Sequence, residues 1–206
     1  MIIGITGSSG AGKSTACEIL SEKYDIEIID ADKIARKLTD TNKDYLNEIV
    51  SKFGDDILLP DGTLNRKKLA NIIYTDRDKR HLLNSCTFKY IKKEVKDRIK
   101  EGKNFAIDAP LLMECKLEKL CDITIAVIAT NRRDQLNRII KRDNISEDDA
   151  NKRLNAQKPN KFYTSHCDYI ILNDDHIKQM EKQLEKIQWL IETLLKMSKI
   201  DAKTAI

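Results

Sequence analysis

Residues 7–14 read Gly-Ser-Ser-Gly-Ala-Gly-Lys-Ser, the complete G-x-x-x-x-G-K-[ST] pattern of a phosphate-binding loop. The pattern follows the apolar run Ile2-Ile3-Gly4-Ile5 directly and precedes a stretch compatible with a helix. Strand, glycine-rich turn and helix in succession commit the chain to an α/β layer structure. Gly7, Gly10 and Gly12 let successive N–H groups, Ala11 among them, point inward at one phosphate chain. The helix adds its positive end. Lys13 is expected at the β and γ phosphates, the Ser14 hydroxyl on Mg²⁺ and Thr15 at the α phosphate. A glycine-rich turn that merely happens to precede a helix is the bland alternative, and eight agreeing positions argue against it. A nucleoside triphosphate is the expected ligand.

Strand-like runs recur at Ile2–Thr6, Ile26–Ile29, Phe105–Ile107, Ile123–Ile128 and Tyr169–Leu172, separated by helix-like segments. Alternation of this kind predicts a five-stranded parallel sheet covered on both faces, with ligand at its carboxyl edge. About seventy-five residues lie between the second and third runs, too many for one crossover helix. They are expected to form a helical, acceptor-binding insertion over about 39–101, with helices at Lys43–Phe53, Arg66–Tyr74 and Asp78–Lys100 and a tight turn at Pro60-Asp61-Gly62. Arg132–Arg142 and Ser146–Gln157 form a second helical pair, a lid over about 131–165, with a capping-box-like start at Ser146. The core is then 1–38, 102–130 and 166–197. A docking helix is expected over Asp175–Met197 through Ile187, Leu190, Ile191, Leu194 and Leu195, and residues 198–206 are expected to fray. The class is a three-layer P-loop NTPase fold, in one domain.

Basic and acidic residues, 37 against 33, are interspersed and leave a net charge of +4, so no block proposes nucleic acid as a partner. Five cysteines form no C-x-x-C and no zinc-like pairing with histidine, which predicts reduced thiols and no metal on them. Without a basic leader or an apolar run of membrane length, the expectation is a cytoplasmic protein without a membrane partner, monomeric or a weak homo-oligomer.

Asp30-Ala31-Asp32 follows the second strand run and sets two carboxylates beside the loop. Phosphorylation of an alcohol needs a carboxylate to orient the hydroxyl and accept its proton. Asp32 is the chosen base, with Asp30 at the acceptor, although either could simply cap the helix that follows. Asp108 ends the third run, where an acid commonly holds the Mg²⁺ shell through water. Glu114 is a weaker candidate for substrate or metal contact. Arg138, Arg142 and Arg153 fall in the lid, where guanidinium groups can neutralise a transferring phosphoryl group. Thr130-Asn131-Arg132-Arg133-Asp134 is reminiscent of the guanine-binding N-K-x-D element, but the lysine is replaced and no D-x-x-G follows the third strand. A GTPase is thereby disfavoured.

Taken together, these pieces resemble the dephospho-CoA kinase family from Ile3 to about Asn173. The resemblance rests on the loop Thr6–Thr15, Asp30-Ala31-Asp32 with Ile34-Ala35-Arg36, Phe53-Gly54 with Asp56-Ile57-Leu58, and Asp61-Gly62-Thr63-Leu64-Asn65-Arg66 with Leu69-Ala70. It continues through Asp108, Pro110-Leu111-Leu112, Glu114, Arg138, Arg142-Asp143, Arg153, Gln157, Asp168 and Asn173. It implies transfer of the ATP γ-phosphate to the ribose 3′-hydroxyl of dephospho-CoA, with ATP and Mg²⁺ required. It further implies that Asp32 is the base, Lys13 and Ser14 hold phosphate and Mg²⁺, Arg142 is the lid arginine, and Asn173 lies near adenine. Two positions depart from the family pattern: Ser8 replaces a glycine, and Phe88-Lys89 stands where His-Pro is usual. Another small-molecule kinase and a non-catalytic ATP-binding protein are the alternatives.

Overall fold

A computed structural model describes the backbone of residues 1–204, and the side chains of residues 1–190 other than Tyr74. Strands β1 (Ile2–Thr6), β2 (Glu27–Asp30), β3 (Phe105–Asp108), β4 (Ile123–Ala129) and β5 (Tyr169–Asn173) form one parallel sheet in the order β2-β3-β1-β4-β5. Short apolar runs make the inner strands β1, β3 and β4 because both faces are covered there, whereas the edge strand β5 leaves Ile170 and Leu172 exposed. On one face Ile3, Ile5 and Ile171 pack with α1 (Lys13–Tyr24) and with Met180, Leu184 and Ile187 of α9 (Ile177–Thr204). On the other, Ile29, Phe105 and Ile107 pack with the insertion.

The insertion comprises α2 (Ala31–Thr41), α3 (Lys43–Phe53), α4 (Arg66–Thr75) and α5 (Arg77–Ile99). Side-chain caps start all four: Asp30, Asn42, Asn65 and Asp76 each accept from N–H groups of the first turn. Helices α6 (Arg132–Asp143), α7 (Glu147–Asn155) and α8 (Asn160–His166) follow β4. The first of these is capped by Asn131, whose side chain accepts from Arg133 and Asp134 N–H. Asn131 is therefore committed to the helix start. Ser146 caps α7 by accepting from Asp149 N–H at 3.1 Å, as the capping-box pattern implied.

Three expectations change or are settled. Helix α2 begins at Ala31, so of the two acids that could cap it Asp30 is the cap and Asp32 falls inside its first turn. Helix α8 carries no apolar periodicity and was not expected; it follows Pro159 and buries Tyr163. Helix α9 docks through Ile187, the first residue of the expected stripe, and through Met180 and Leu184 before it, while Leu190 is 38% exposed because the helix outruns the sheet. Its backbone stays helical past Met197 to Thr204, where fraying was expected. The side chains of Ile191, Leu194 and Leu195, and residues 205–206, lie outside the described residues. Among the described residues no helix is long and apolar enough to cross a membrane.

Candidate active site

The loop between β1 and α1 is shaped by close packing beneath it. At Gly7 the backbone sits at φ 142°, and a Cβ there would lie 2.2 Å from the Val127 carbonyl oxygen. At Gly12, φ is 105° and a Cβ would meet Asn173 Nδ2 at 2.2 Å. Only glycine fits either position. Gly12 is also the residue before α1, so the first N–H groups of the helix, from Lys13 and Ser14, face the loop. Lys13 Nζ lies across it, donating to Gly7 O at 2.9 Å and Ser8 O at 3.3 Å. Burial draws the Lys13 ammonium below its ordinary value, opposed by the carboxylates of Asp108 and Asp32. Asn173, 9% exposed, donates to Ala11 O at 2.9 Å and accepts from Asp175 N–H at 3.1 Å. Its amide braces the loop from below; both ends are engaged there.

The two acids after β2 divide their work. Asp30 Oδ1 accepts from Lys33 N–H at 2.8 Å and caps α2. Asp32, in the first turn of α2, makes no such bond and opens onto the cleft. Solvent reaches its side chain, yet protein encloses it on its other sides. That burial, with the Asp30 charge added, pushes its carboxyl above the ordinary value, while Lys13, Arg36 and Arg142 pull it back. Asp108 ends β3 in register with Asp30 and Ile5. Burial raises its carboxyl to about 6 against the pull of Lys13, and its Oδ1 finds no hydrogen-bond partner among the described residues. Lys13 and Asp32 thus lie within electrostatic reach of each other and of both Asp108 and Arg142.

From the side of β4, α6 and the residue Gln157 beyond α7 grip the same loop. Buried Gln135 donates to Ser8 Oγ and Ser9 O, both at 2.8 Å, and Gln157 accepts from Ser9 N–H at 2.8 Å. Arg138 donates from Nε to Gly10 O at 2.7 Å and pairs with Asp175 through Nη1. Arg142 donates to both Asp143 oxygens at 2.9 Å and to Ser9 Oγ at 3.0 Å. Arg153 reaches Asp143 Oδ2 from α7.

Beside Asp32 opens a cavity of about 310 Å³ between α2, α4, α5 and the 109–117 segment, with Tyr45, Leu69, Phe88 and Leu111 on its apolar walls and Arg36 and Arg66 among its polar ones. Arg66 is held by Arg36 O at 2.7 Å and by Asp40 at 2.9 Å. Phe88 is part of this wall, while Lys89 turns out to Glu48 at 2.6 Å. Glu114 stands apart. It lines a separate recess with Met113, Glu118, Lys158, Phe162 and His166.

The donors at the loop end, the Ser14 hydroxyl and the Asp108 carboxylate, are hard oxygens, and the unpartnered Asp108 Oδ1 has a free acceptor for a metal-bound water. Among the described residues no group of three His, Cys, Asp or Glu could hold a metal. Mg²⁺ fits such a place, since it keeps several waters and takes phosphate oxygens as its remaining ligands.

The family model for dephospho-CoA kinase matches residues 1–179. The chain belongs to the dephospho-CoA kinase family, whose members are ATP-dependent kinases. A dephospho-CoA kinase from Bacillus cereus is 37% identical over 192 residues, covering 91% of this chain and 95% of that protein. The solved dephospho-CoA kinase from Campylobacter jejuni is 27% identical with a TM-score of 0.65, over 92% of this chain and 96% of that one. A solved Thermus thermophilus protein, 22% identical, shares the fold with a TM-score of 0.75 over 91% of this chain and 96% of its own.

Within this dephospho-CoA kinase family member, most sequence candidates converge. Gly7, Gly10, Ala11, Gly12, Lys13, Ser14 and Thr15 form the loop and the start of α1, with Asp30, Asp32, Asp108, Arg138 and Arg142 around it. Two candidates fall elsewhere: Asn173 beneath the loop and Glu114 in its own recess. Gln135 is a loop contact that the sequence does not announce. It sits 127 residues from Ser8 in sequence, and no local pattern links them.

Proposed function

We propose that this chain transfers the γ-phosphoryl group of ATP to the ribose 3′-hydroxyl of dephospho-CoA, giving CoA and ADP. One observation carries the reading: Asp32 belongs both to the wall of the apolar cavity and to the charge cluster of the phosphate loop. A hydroxyl presented from the cavity would meet the Asp32 carboxylate beside the loop that is to hold the γ-phosphoryl group, where it can attack phosphorus in line with the leaving β–γ bridging oxygen.

Asp32 would accept the 3′-hydroxyl proton as the ribose oxygen bonds to phosphorus and the bond to the β–γ bridging oxygen breaks, with ADP leaving. Its raised carboxyl is the stronger base for that proton, and Lys13 and Arg142 keep it ionised. Lys13 and Arg142 would also face the equatorial oxygens, where negative charge is spread in the transition state. Arg36, on the cavity wall, offers a cation to the acceptor diphosphate. Ser14 directly and Asp108 through water would hold Mg²⁺, which neutralises charge on the β and γ phosphates when bound. Asn173 fits the role of loop brace better than that of adenine contact.

The test is purified protein with ATP, Mg²⁺ and, in separate reactions, dephospho-CoA, adenosine and nucleoside monophosphates, with products followed by mass spectrometry. CoA and ADP are expected from dephospho-CoA. Phosphorylation of another acceptor in its place would make the chain a different small-molecule kinase, and ATP binding with no acceptor turned over would make it a regulatory protein.

A further inference from the structure

We infer that Asp143 is the positioning residue of the lid, holding the Arg142 guanidinium against the phosphate loop with one edge left for the transferring phosphoryl group. The inference rests on the kinase reading above. Asp143 is the last residue of α6, its side chain only 23% exposed, and both carboxylate oxygens are engaged. Oδ1 accepts from Arg142 Nε and Oδ2 from Arg142 Nη2, each at 2.9 Å. A two-point fork of this kind fixes the plane of the guanidinium, which a single bond does not.

The five N–H groups of Arg142 can then be followed one by one. Nε and one proton of Nη2 go to Asp143, and the second proton of Nη2 goes to Ser9 Oγ at 3.0 Å. Nη1 keeps two N–H groups with no protein partner among the described residues. Ser9 is part of the phosphate loop, so the bond to it brings that free edge to the place where phosphates bind. The Arg142 side chain is 57% exposed, and without the fork so long a side chain would sample many rotamers.

Arg153 fixes the fork in turn. Its Nη1 donates to Asp143 Oδ2 from α7, so the carboxylate is held from a second helix and cannot swing with Arg142. Together the arginines keep the Asp143 carboxyl below its ordinary value, Arg142 contributing most, which leaves it an anion throughout the neutral range. A carboxylate at this place therefore supplies aim, and Arg142 supplies the charge.

The experiment compares wild type, Asp143→Asn, Arg142→Ala and the double variant by steady-state kinetics and by calorimetric affinity for ATP and ADP. Asp143→Asn is expected to lower kcat about tenfold, less than loss of a preorganised donor outright, with the dephospho-CoA KM changed by less than about twofold. It should narrow the ATP-to-ADP affinity ratio in the same direction as Arg142→Ala. On the Arg142→Ala background it should cost less than about twofold more, because there is no guanidinium left to aim. Asp143→Glu, which keeps the charge, should recover part of the turnover and of the ratio; it also carries the test if Asp143→Asn fails to fold. Wild-type turnover and affinity ratio in Asp143→Asn, or losses that multiply fully in the double variant, would overturn the assignment. Should wild type phosphorylate no dephospho-CoA, the kinase reading fails, while the ATP-to-ADP ratio still decides the role of Asp143.

Discussion

Neutralising Asp108 should stabilise the metal-free protein while disabling it. The carboxyl is raised from 3.8 to about 6 by burial, and Oδ1 has no hydrogen-bond partner among the described residues. A shift of about 2 units at about 1.4 kcal/mol each sets a ceiling of about 3 kcal/mol on the folding free energy lost by ionising it. The pull of Lys13 is already contained in that value, and relaxation of the vacated site reduces the gain, so Asp108→Asn is expected to add about 1–3 kcal/mol. The pH dependence follows from the direction of the shift. Below the unfolded value of 3.8 both states are protonated and the variant has no advantage. Between 3.8 and about 6 the native protein keeps a proton that the unfolded chain has lost, so wild-type stability falls as pH rises. Above about 6 the gap is complete. Urea unfolding in EDTA, followed by circular dichroism from pH 4 to pH 8, measures it. The same variant should lose about a hundredfold or more in turnover with ATP and Mg²⁺. A variant no more stable than wild type at pH 8, or a gap of equal size at pH 4 and pH 8, would show that burial of this charge is not what destabilises the site.

Lys13→Ala should lower kcat by about a hundredfold or more without loss of fold, because Lys13 supplies charge across the loop and packs no core; near-normal turnover in a folded variant would count against it. Asp32→Asn is expected to abolish transfer to dephospho-CoA and leave ATP affinity within a few fold. Asp30→Asn should cost less, since an amide oxygen can still cap α2, whereas Asp30→Ala should cost about 1 kcal/mol of stability; a harsher kinetic effect of Asp30→Asn than of Asp32→Asn would reverse the choice of base. Phe88→His should change the acceptor KM more than kcat, because Phe88 lines the cavity away from the loop; an equal fall in kcat would place chemistry there.

Much of this was legible because it is local. The loop, the apolar strand runs and the helix caps are set by residues a few positions apart, and β1, α3 and the Ser146 cap stand where the pattern put them. The division of Asp30 and Asp32 into cap and free carboxylate was an open alternative until the start of α2 at Ala31 decided it. What escaped is non-local. Asn173 and Gln135 are buried amides whose partners, Ala11 and Ser8, lie over a hundred residues away. Glu114 left the site because the segment after Pro110 reverses: Leu112 and Leu117 take its core side, with Leu117 N–H on Leu112 O at 2.9 Å and Lys116 at φ 55°. That turn carries Glu114 to the recess near α8, which no periodicity announced.

The departure at Phe88-Lys89 can now be followed from backbone to specificity. Both residues lie inside α5, which runs unbroken from Arg77 to Ile99. A proline at 89 would remove an N–H from that helix and crowd the preceding turn. Lysine keeps the helix continuous and ties it to α3 through Glu48, which also accepts from the Tyr90 hydroxyl at 2.9 Å. Phe88 is left on the cavity wall with Leu83 and Ile91, where it offers shape and apolar area but no hydrogen bond. Apolar walls reject a wrong acceptor by only about 1–3 kcal/mol per methylene, while polar contacts that a wrong acceptor leaves unmade discriminate far more. On the proposed reading, acceptor choice falls to the polar side of the cavity: to Arg36, to Asn84, and above all to Asp32, where the hydroxyl would sit.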